Sequence, residues 1–129
     1  MLNIQKIDWS SFLVGRIVLG LYFFIFDFGK LFTYEDIHAL MVLKEVPLVA
    51  ITLPITIIIQ TVFGLFVIFG KHLRISGLAL FIVTILINYY IHNFWDLAGD
   101  MSQANEMQNF IKNTAIAGGL LILSTKENI

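Results

Sequence analysis

Two adjacent polar residues, Lys112 and Asn113, stand at the start of the last apolar segment of the chain. If Lys126 marks one membrane edge, Lys112 lies about 10 Å below the opposite hydrocarbon surface. A lysine at that depth costs about 1 to 3 kcal/mol unless it is paired, snorkels outward or meets water. We therefore expect Lys112 and Asn113 either to reach the headgroups or to face other polar groups inside the protein.

A second set of polar residues lies on one face of the first apolar segment. Arg16, Gly20, Phe23, Asp27 and Lys30 follow one another at steps of four and three, which places them on one helical stripe. Lipid would reject this charged face, so it should face other helices. Asp27 and Lys30 are close enough to pair, and for Arg16 we expect an anchoring or helix-pairing role.

The third apolar segment repeats this pattern, because Thr84, Asn88, His92 and Trp95 also share a face. We predict that the polar residues of the first, third and fourth segments lie at similar depth and form a pocket for a polar-headed small molecule. Its candidate residues are Asp27, Lys30, Asn88, His92, Trp95, Lys112 and Asn113. Trp95 also fits the aromatic belt at a membrane surface. Gln60, near the middle of the second segment, is interpreted as a structural helix–helix hydrogen bond.

The apolar segments that position these residues indicate an all-α membrane protein. Leu48–Gly70 is 23 residues long without an ionisable side chain, long enough to cross a hydrocarbon core of about 30 Å. With 58% hydrophobic and 13% charged residues, the chain fits one domain, 1–129. The fold class that we predict is a bundle of four transmembrane helices with short interfacial helices on its outer side. The four apolar segments are Ser11–Phe32, Leu48–Gly70, Ile75–Ile91 and Asn113–Thr125.

Basic residues predict the orientation of this bundle. Five of the eight Lys and Arg residues lie at the end that carries both termini and the tight turn Lys71–Arg74. By the positive-inside rule, both termini of this multi-pass protein should be cytoplasmic. On the outer side, Thr33 and Asp36 resemble a capping box that begins a short amphipathic helix, and Ser102 could cap the fourth helix. Gly99 and Asp100 read as a turn before it.

Composition also excludes several function classes. The net charge of −1 and the absence of a long basic run argue against a nucleic-acid partner. The chain has no cysteine, so it cannot exchange thiols and disulfides, and we expect no metal site. No self-contained catalytic motif occurs, so enzyme activity stays open. Ala115 and Gly119 form a small-residue pair that allows close approach of another helix and a homo-oligomer.

Two motifs in the second half of the chain resemble the DoxX family of small bacterial membrane proteins. These are His92-x-Phe94-Trp95 and Phe110-x-Lys112-Asn113-x-Ala115-x-x-Gly118-Gly119. The likeness extends from about Leu13 to Leu123 and includes further positions in the first three segments: Gly15-Arg16, Gly20, Gly29-Lys30, Gly64, Gly70 and Arg74.

The resemblance implies a four-helix bundle in the bacterial inner membrane that is linked to respiratory or oxidative-stress chemistry. Some relatives are associated with thiosulfate oxidation that feeds electrons to quinone, and others with complexes around superoxide-detoxifying enzymes. Two positions depart from the family pattern. Gln60 stands where a Glu is frequent, which removes a proton-carrying carboxylate, and Asp27 stands where a neutral residue or His is usual.

Two functional hypotheses follow. In the first, the protein is an accessory of membrane redox chemistry and binds a quinone-type head group near the periplasmic face, at most as a subunit of a quinone-linked oxidoreductase. In the second, it is a ligand-free scaffold or assembly partner for a membrane-associated redox enzyme, and the polar residues only fix the helix register. A transporter ranks behind both, because no repeat relates the two halves.

Overall fold

The computed structural model describes residues 3–126, and all regular structure in that range is helical. The prediction of an all-α protein is therefore confirmed for 3–126. This described part of the chain contains five α-helices, with one short 3-10 helix, Phe94–Asp96, before the last of them. They are α1 (Ile4–Phe32), α2 (Tyr34–Leu43), α3 (Val49–Phe69), α4 (Leu73–Tyr90) and α5 (Gln103–Ser124).

Three of these helical stretches are long and apolar enough to cross a membrane: Ile4–Phe32, Val49–Phe69 and Leu73–Asp96. The 22 residues of α5 also reach about 33 Å. Its first half is polar, however, so length and composition together do not mark α5 as a span. The helix α1 begins seven residues before the predicted Ser11. Its 29 residues extend about 43 Å, which exceeds a hydrocarbon core of about 30 Å.

The helices pack in chain order, α1 on α3, α3 on α4 and α4 on α5, and glycines set the close approaches. A Cβ on Gly20 would lie 2.8 Å from the carbonyl oxygen of Gly64, and one on Gly77 would lie 2.8 Å from that of Leu120. Gly119 has no neighbouring atom of this kind within 4 Å. Within residues 3–126, the pair Ala115 and Gly119 thus does not provide the close helix contact, and Gly77 does.

Two apolar clusters form the core. The larger one joins all four long helices near the end where α3 turns into α4, and its buried members are Phe23, Val67, Leu73, Leu80, Leu120 and Leu123. The smaller one joins α2 to the start of α3 through Met41, Val49 and Leu53. The two clusters are at different heights along α3, and a space remains between them.

The turns differ in detail from the sequence prediction. The α3–α4 turn comprises residues 70–72, and Gly70 and His72 have positive φ (74° and 49°). Because α4 already begins at Leu73, the predicted turn Lys71–Arg74 extends two residues into this helix and omits Gly70. Gly99 also has a positive φ of 82°, as a turn at Gly99 and Asp100 requires.

The two predicted side-chain caps do not form. Thr33 and Ser102 do precede helices α2 and α5, but neither side chain caps its helix. The Thr33 hydroxyl donates instead to the Gly29 carbonyl oxygen at 3.3 Å, because α1 ends directly before it. The Ser102 hydroxyl donates to Asp100 Oδ1 at 2.8 Å.

Candidate functional site

A cavity of about 630 Å³ lies between the two apolar clusters, bounded by α1, α3, α4 and α5 and covered by α2. Ile37, Leu40 and Met41 turn the apolar face of α2 into the cavity. Most of the lining is apolar, and polar side chains enter it from all four long helices. These are Tyr22, Lys30, Thr52, Thr56, Gln60, Thr84, Tyr90, His92, Asn109, Lys112 and Asn113.

Lys30 is the centre of a polar network between α1 and α3. Its Nζ donates to Gln60 Oε1 at 2.6 Å and forms an ion pair with Asp27 Oδ1 at 3.5 Å. The other carboxylate oxygen of Asp27 accepts a hydrogen bond from the Thr61 hydroxyl at 2.7 Å. Asp27 and Gln60 are 1% and 5% exposed, so the carboxylate is buried behind the lysine. The predicted pair of Asp27 and Lys30 is present, and Gln60 forms the predicted helix–helix hydrogen bond.

A second polar pair lies where α4 ends and α5 begins. His92 Nδ1 is 2.7 Å from Glu106 Oε2, and both side chains are about four-fifths buried. A carboxylate on Nδ1 favours a proton on that nitrogen and fixes the orientation of the ring. His92 also lines the cavity. Its Nε2 contacts no hydrogen-bonding partner within residues 3–126, so this nitrogen can serve a ligand.

Lys112 and Asn113 both line the cavity but differ in their contacts. Asn113 Oδ1 accepts a hydrogen bond from the Tyr22 hydroxyl at 3.2 Å, which ties α5 to α1 across the cavity. Lys112 is exposed and forms no ion pair or hydrogen bond with any residue in the described part of the chain. Its ammonium group is therefore free to bind a ligand oxygen or to reach the membrane surface.

Four of the nine predicted polar residues lie away from the cavity wall. Asp27 does not line the cavity, but it pairs with Lys30, which does. Asn88 is buried between α4 and α5, where its Nδ2 donates to the Phe110 carbonyl oxygen at 3.1 Å. Trp95 is 44% exposed, packs on Tyr89 and Phe110, and does not line the cavity.

Arg16 is the fourth, and it lies at the far end of the bundle. Its guanidinium group rests against Gly70, the residue that ends α3. The expected anchoring or helix-pairing role of Arg16 stays a prediction.

Three side chains that contribute to the site were missed in the sequence: Tyr22, Thr61 and Glu106. A spacing signal existed for two of them. Tyr22 is eight residues before Lys30, two helical turns along the same face. Glu106 precedes Asn113 by seven residues, which again repeats a face. Thr61 carries no such signal, because a threonine in an apolar helix is usually bonded to its own backbone.

The arrangement can bind the oxygens of a polar head group with Lys30, Lys112, His92 and Asn113, and can hold an apolar portion against the remaining wall. Lys30, His92 and Asn113 each contact a side chain from another helix, and Lys30 also pairs with Asp27 on its own helix. No group of three or more His, Asp or Glu side chains within 3–126 is placed to hold a metal ion.

Comparison with known proteins decides the family. The DoxX family model matches residues 11–93, nearly two thirds of the chain, from α1 to the His92 motif. The chain belongs to the DoxX family. The matched range of this DoxX protein includes Lys30, Gln60 and His92, whereas Lys112 and Asn113 on α5 lie outside it.

One curated relative extends the likeness over most of the chain. The inner membrane protein YphA of Escherichia coli (strain K12) is 28% identical over 112 residues, which cover 87% of this DoxX chain and 79% of the relative. No solved structure matches the chain.

Proposed function

We propose that this protein is a multi-pass protein of the bacterial inner membrane with four spans and both termini in the cytoplasm. The similarity to an inner membrane protein and the three apolar helices support the location. Helix α5 packs along α4 and has a comparable length, which supports α5 as the fourth span. The basic turn between α3 and α4 then faces the cytoplasm, and the cavity faces the periplasmic half of the membrane.

The cavity is the proposed site of a lipid-soluble molecule with a quinone-type head group. Its volume of about 630 Å³ is within the range of small-molecule sites, roughly 300 to 1,000 Å³. A quinone head group offers two carbonyl oxygens as acceptors, and the cavity offers donors from different helices. Lys30 on α1 is held by Asp27 and Gln60 and has a third ammonium proton to donate. Lys112 and Asn113 line the cavity from α5.

The single observation that carries this proposal is the Lys30 network. An ammonium group that is 18% exposed, backed by a buried carboxylate and turned to an apolar cavity, is a preformed donor for a neutral oxygen. When bound, a quinone would supply redox chemistry that the cysteine-free chain lacks. The residues of the chain bind and orient the head group, and the protein acts as an accessory of a membrane redox system.

Native mass spectrometry of the protein released from gently solubilised membranes tests this proposal. We expect a retained lipid-soluble molecule whose mass corresponds to a quinone, and its loss in the variant Lys30→Met/Asp27→Asn, which removes both charges together. The control variant Lys6→Gln removes an exposed charge far from the cavity and should retain it. Protein that carries only phospholipid in all three samples would contradict the quinone site.

A second candidate function, a ligand-free scaffold for a redox enzyme, is favoured by a different observation. Lys30 and His92 already have partners within the protein. The polar network is therefore able to fix the helix register without any ligand. Co-purification separates the two functions. A partner enzyme that remains bound to the Lys112→Ala variant, together with no retained small molecule, would favour the scaffold.

A further inference from the structure

The Arg16 side chain occupies an unusual position at the end of the bundle where α3 turns into α4. Its guanidinium group lies directly against Gly70, and a Cβ at Gly70 would be 2.8 Å from Arg16 Cζ. Gly70 has a φ of 74° and ends α3. The absence of a side chain at this position therefore gives the guanidinium group a place at the carboxyl end of a helix, where the helix dipole favours a cation.

The contacts of Arg16 within the protein are attractive but leave its donors without an acceptor. Its Cζ lies 5.6 Å from the centre of the Phe12 ring, a cation–π distance. Its Nε is fully buried and has no hydrogen-bond partner. No carboxylate within residues 3–126 forms an ion pair with it. A guanidinium group has five N–H donors, and a buried donor without an acceptor is costly.

Further cations surround the same position. Lys126 Nζ lies 5.6 Å from the centre of the same Phe12 ring, so the guanidinium group and the ammonium group contact one ring. Lys71 directly follows Gly70 and is exposed. An anion bound by these groups would offset the repulsion between like charges and accept hydrogen bonds from the guanidinium group.

We propose that Arg16, together with Lys126, binds the phosphate group of an anionic phospholipid at this end of the bundle. A phosphate matches the planar fork of a guanidinium group. The surface of a bilayer supplies phosphate at the height where α3 ends at Phe69, α4 begins at Leu73 and α5 ends at Ser124. Basic pockets between membrane helices commonly bind acidic lipid head groups. The site is independent of the proposed quinone cavity.

Thermal unfolding of the intact protein in nanodiscs of phosphatidylcholine, with and without phosphatidylglycerol, tests the proposal. We expect phosphatidylglycerol to raise the Tm of the wild type by about 3 °C or more, as a ligand that binds the native state does. This rise should fall to less than half in Arg16→Gln and remain in Lys6→Gln. Lys6→Gln removes the same charge from the same half of α1, where Lys6 is exposed.

Two further arms keep the test decisive. If Arg16→Gln does not fold, Arg16→Lys keeps the charge but removes the guanidinium fork, and the lipid-dependent rise should still be smaller than in the wild type. Millimolar inorganic phosphate in phosphatidylcholine nanodiscs identifies the source of the phosphate. The proposal is overturned if free phosphate stabilises the wild type as much as the lipid does, or if Arg16→Gln and Lys6→Gln respond equally to phosphatidylglycerol.

Discussion

Lys30 Nζ lies 2.6 Å from Gln60 Oε1 and 3.5 Å from Asp27 Oδ1, so one ammonium group links a neutral amide on α3 to a carboxylate on its own helix. The DoxX resemblance leads one to expect the carboxylate at position 60. In this chain the carboxylate near Lys30 is Asp27. The two positions that depart from the resemblance, 27 and 60, thus contact the same lysine.

Removal of the lysine alone should destabilise the protein strongly. In Lys30→Met the Asp27 carboxylate, 1% exposed, loses its counter-ion, and we expect the free energy of unfolding to fall by about 3 kcal/mol. The double variant Lys30→Met/Asp27→Asn leaves no buried charge and should recover most of this loss. Unfolding in mixed micelles measures both values. Equal stability of Lys30→Met and the wild type would show that Asp27 is neutral or hydrated.

Moving the carboxylate that pairs with Lys30 from position 27 to position 60 should be tolerated. Because Gln60 Oε1 already contacts Lys30, the double variant Asp27→Asn/Gln60→Glu should have a free energy of unfolding within about 1 kcal/mol of the wild type. Asp27→Asn alone leaves Lys30 without a carboxylate and should lose about 2 kcal/mol. A double variant that is less stable than either single variant would contradict the exchange of the charge between the two helices.

The close contact at Gly77 provides a prediction about packing. Gly77→Ala places a Cβ 2.8 Å from the carbonyl oxygen of Leu120 and should force α4 and α5 apart, at a cost of about 2 kcal/mol. Gly119→Ala has open space and should be neutral or stabilising by up to about 1 kcal/mol. Comparison of the two variants in thermal unfolding checks this. A large loss in Gly119→Ala would instead indicate a second copy or partner on that face of α5.

The loop before α5 has a measurable acid–base signature. The backbone N–H and the hydroxyl of Ser102 both donate to Asp100 Oδ1 at 2.8 Å, and these hydrogen bonds lower the pKa of Asp100. Because the pKa of Asp100 is lower in the folded state, the Asp100 carboxylate stabilises the fold at pH values above the pKa that Asp100 has in the unfolded chain. This contribution is lost as the pH falls through the folded pKa.

Ser102→Ala removes the hydroxyl donor and should raise the pKa of Asp100 towards its ordinary value. Carboxyl carbon NMR shifts followed over an acidic pH series measure it. Met101→Ala is the matched control, because the Met101 side chain is fully exposed, and it should leave the Asp100 titration unchanged. An unchanged titration in Ser102→Ala would contradict the observed hydrogen bond.

Periodicity predicted the helices and the inward stripe of α1 well. Charged and small residues within an apolar helix can face only other helices, and Gly20, Phe23 and Asp27 are indeed buried. Periodicity could not predict which neighbouring helix each polar residue contacts, because that depends on the order in which the helices pack. Asn88 therefore contacts α5 rather than the cavity, and Trp95 packs among neighbouring aromatic residues. The predicted caps are absent because the Thr33 and Ser102 hydroxyls donate to other oxygens and neither accepts a hydrogen bond from a helix N–H group.

The binding of a quinone head group in the cavity is the central claim, and equilibrium titration with a short-chain quinone analogue tests it most directly. In nanodiscs the wild type should bind one analogue saturably, and Lys112→Ala should bind it about tenfold more weakly, which is about 1.4 kcal/mol. The control Lys71→Ala, at the opposite end of the bundle, should bind as the wild type does. Equal affinity of Lys112→Ala and the wild type, or no saturable binding to either, would contradict the claim.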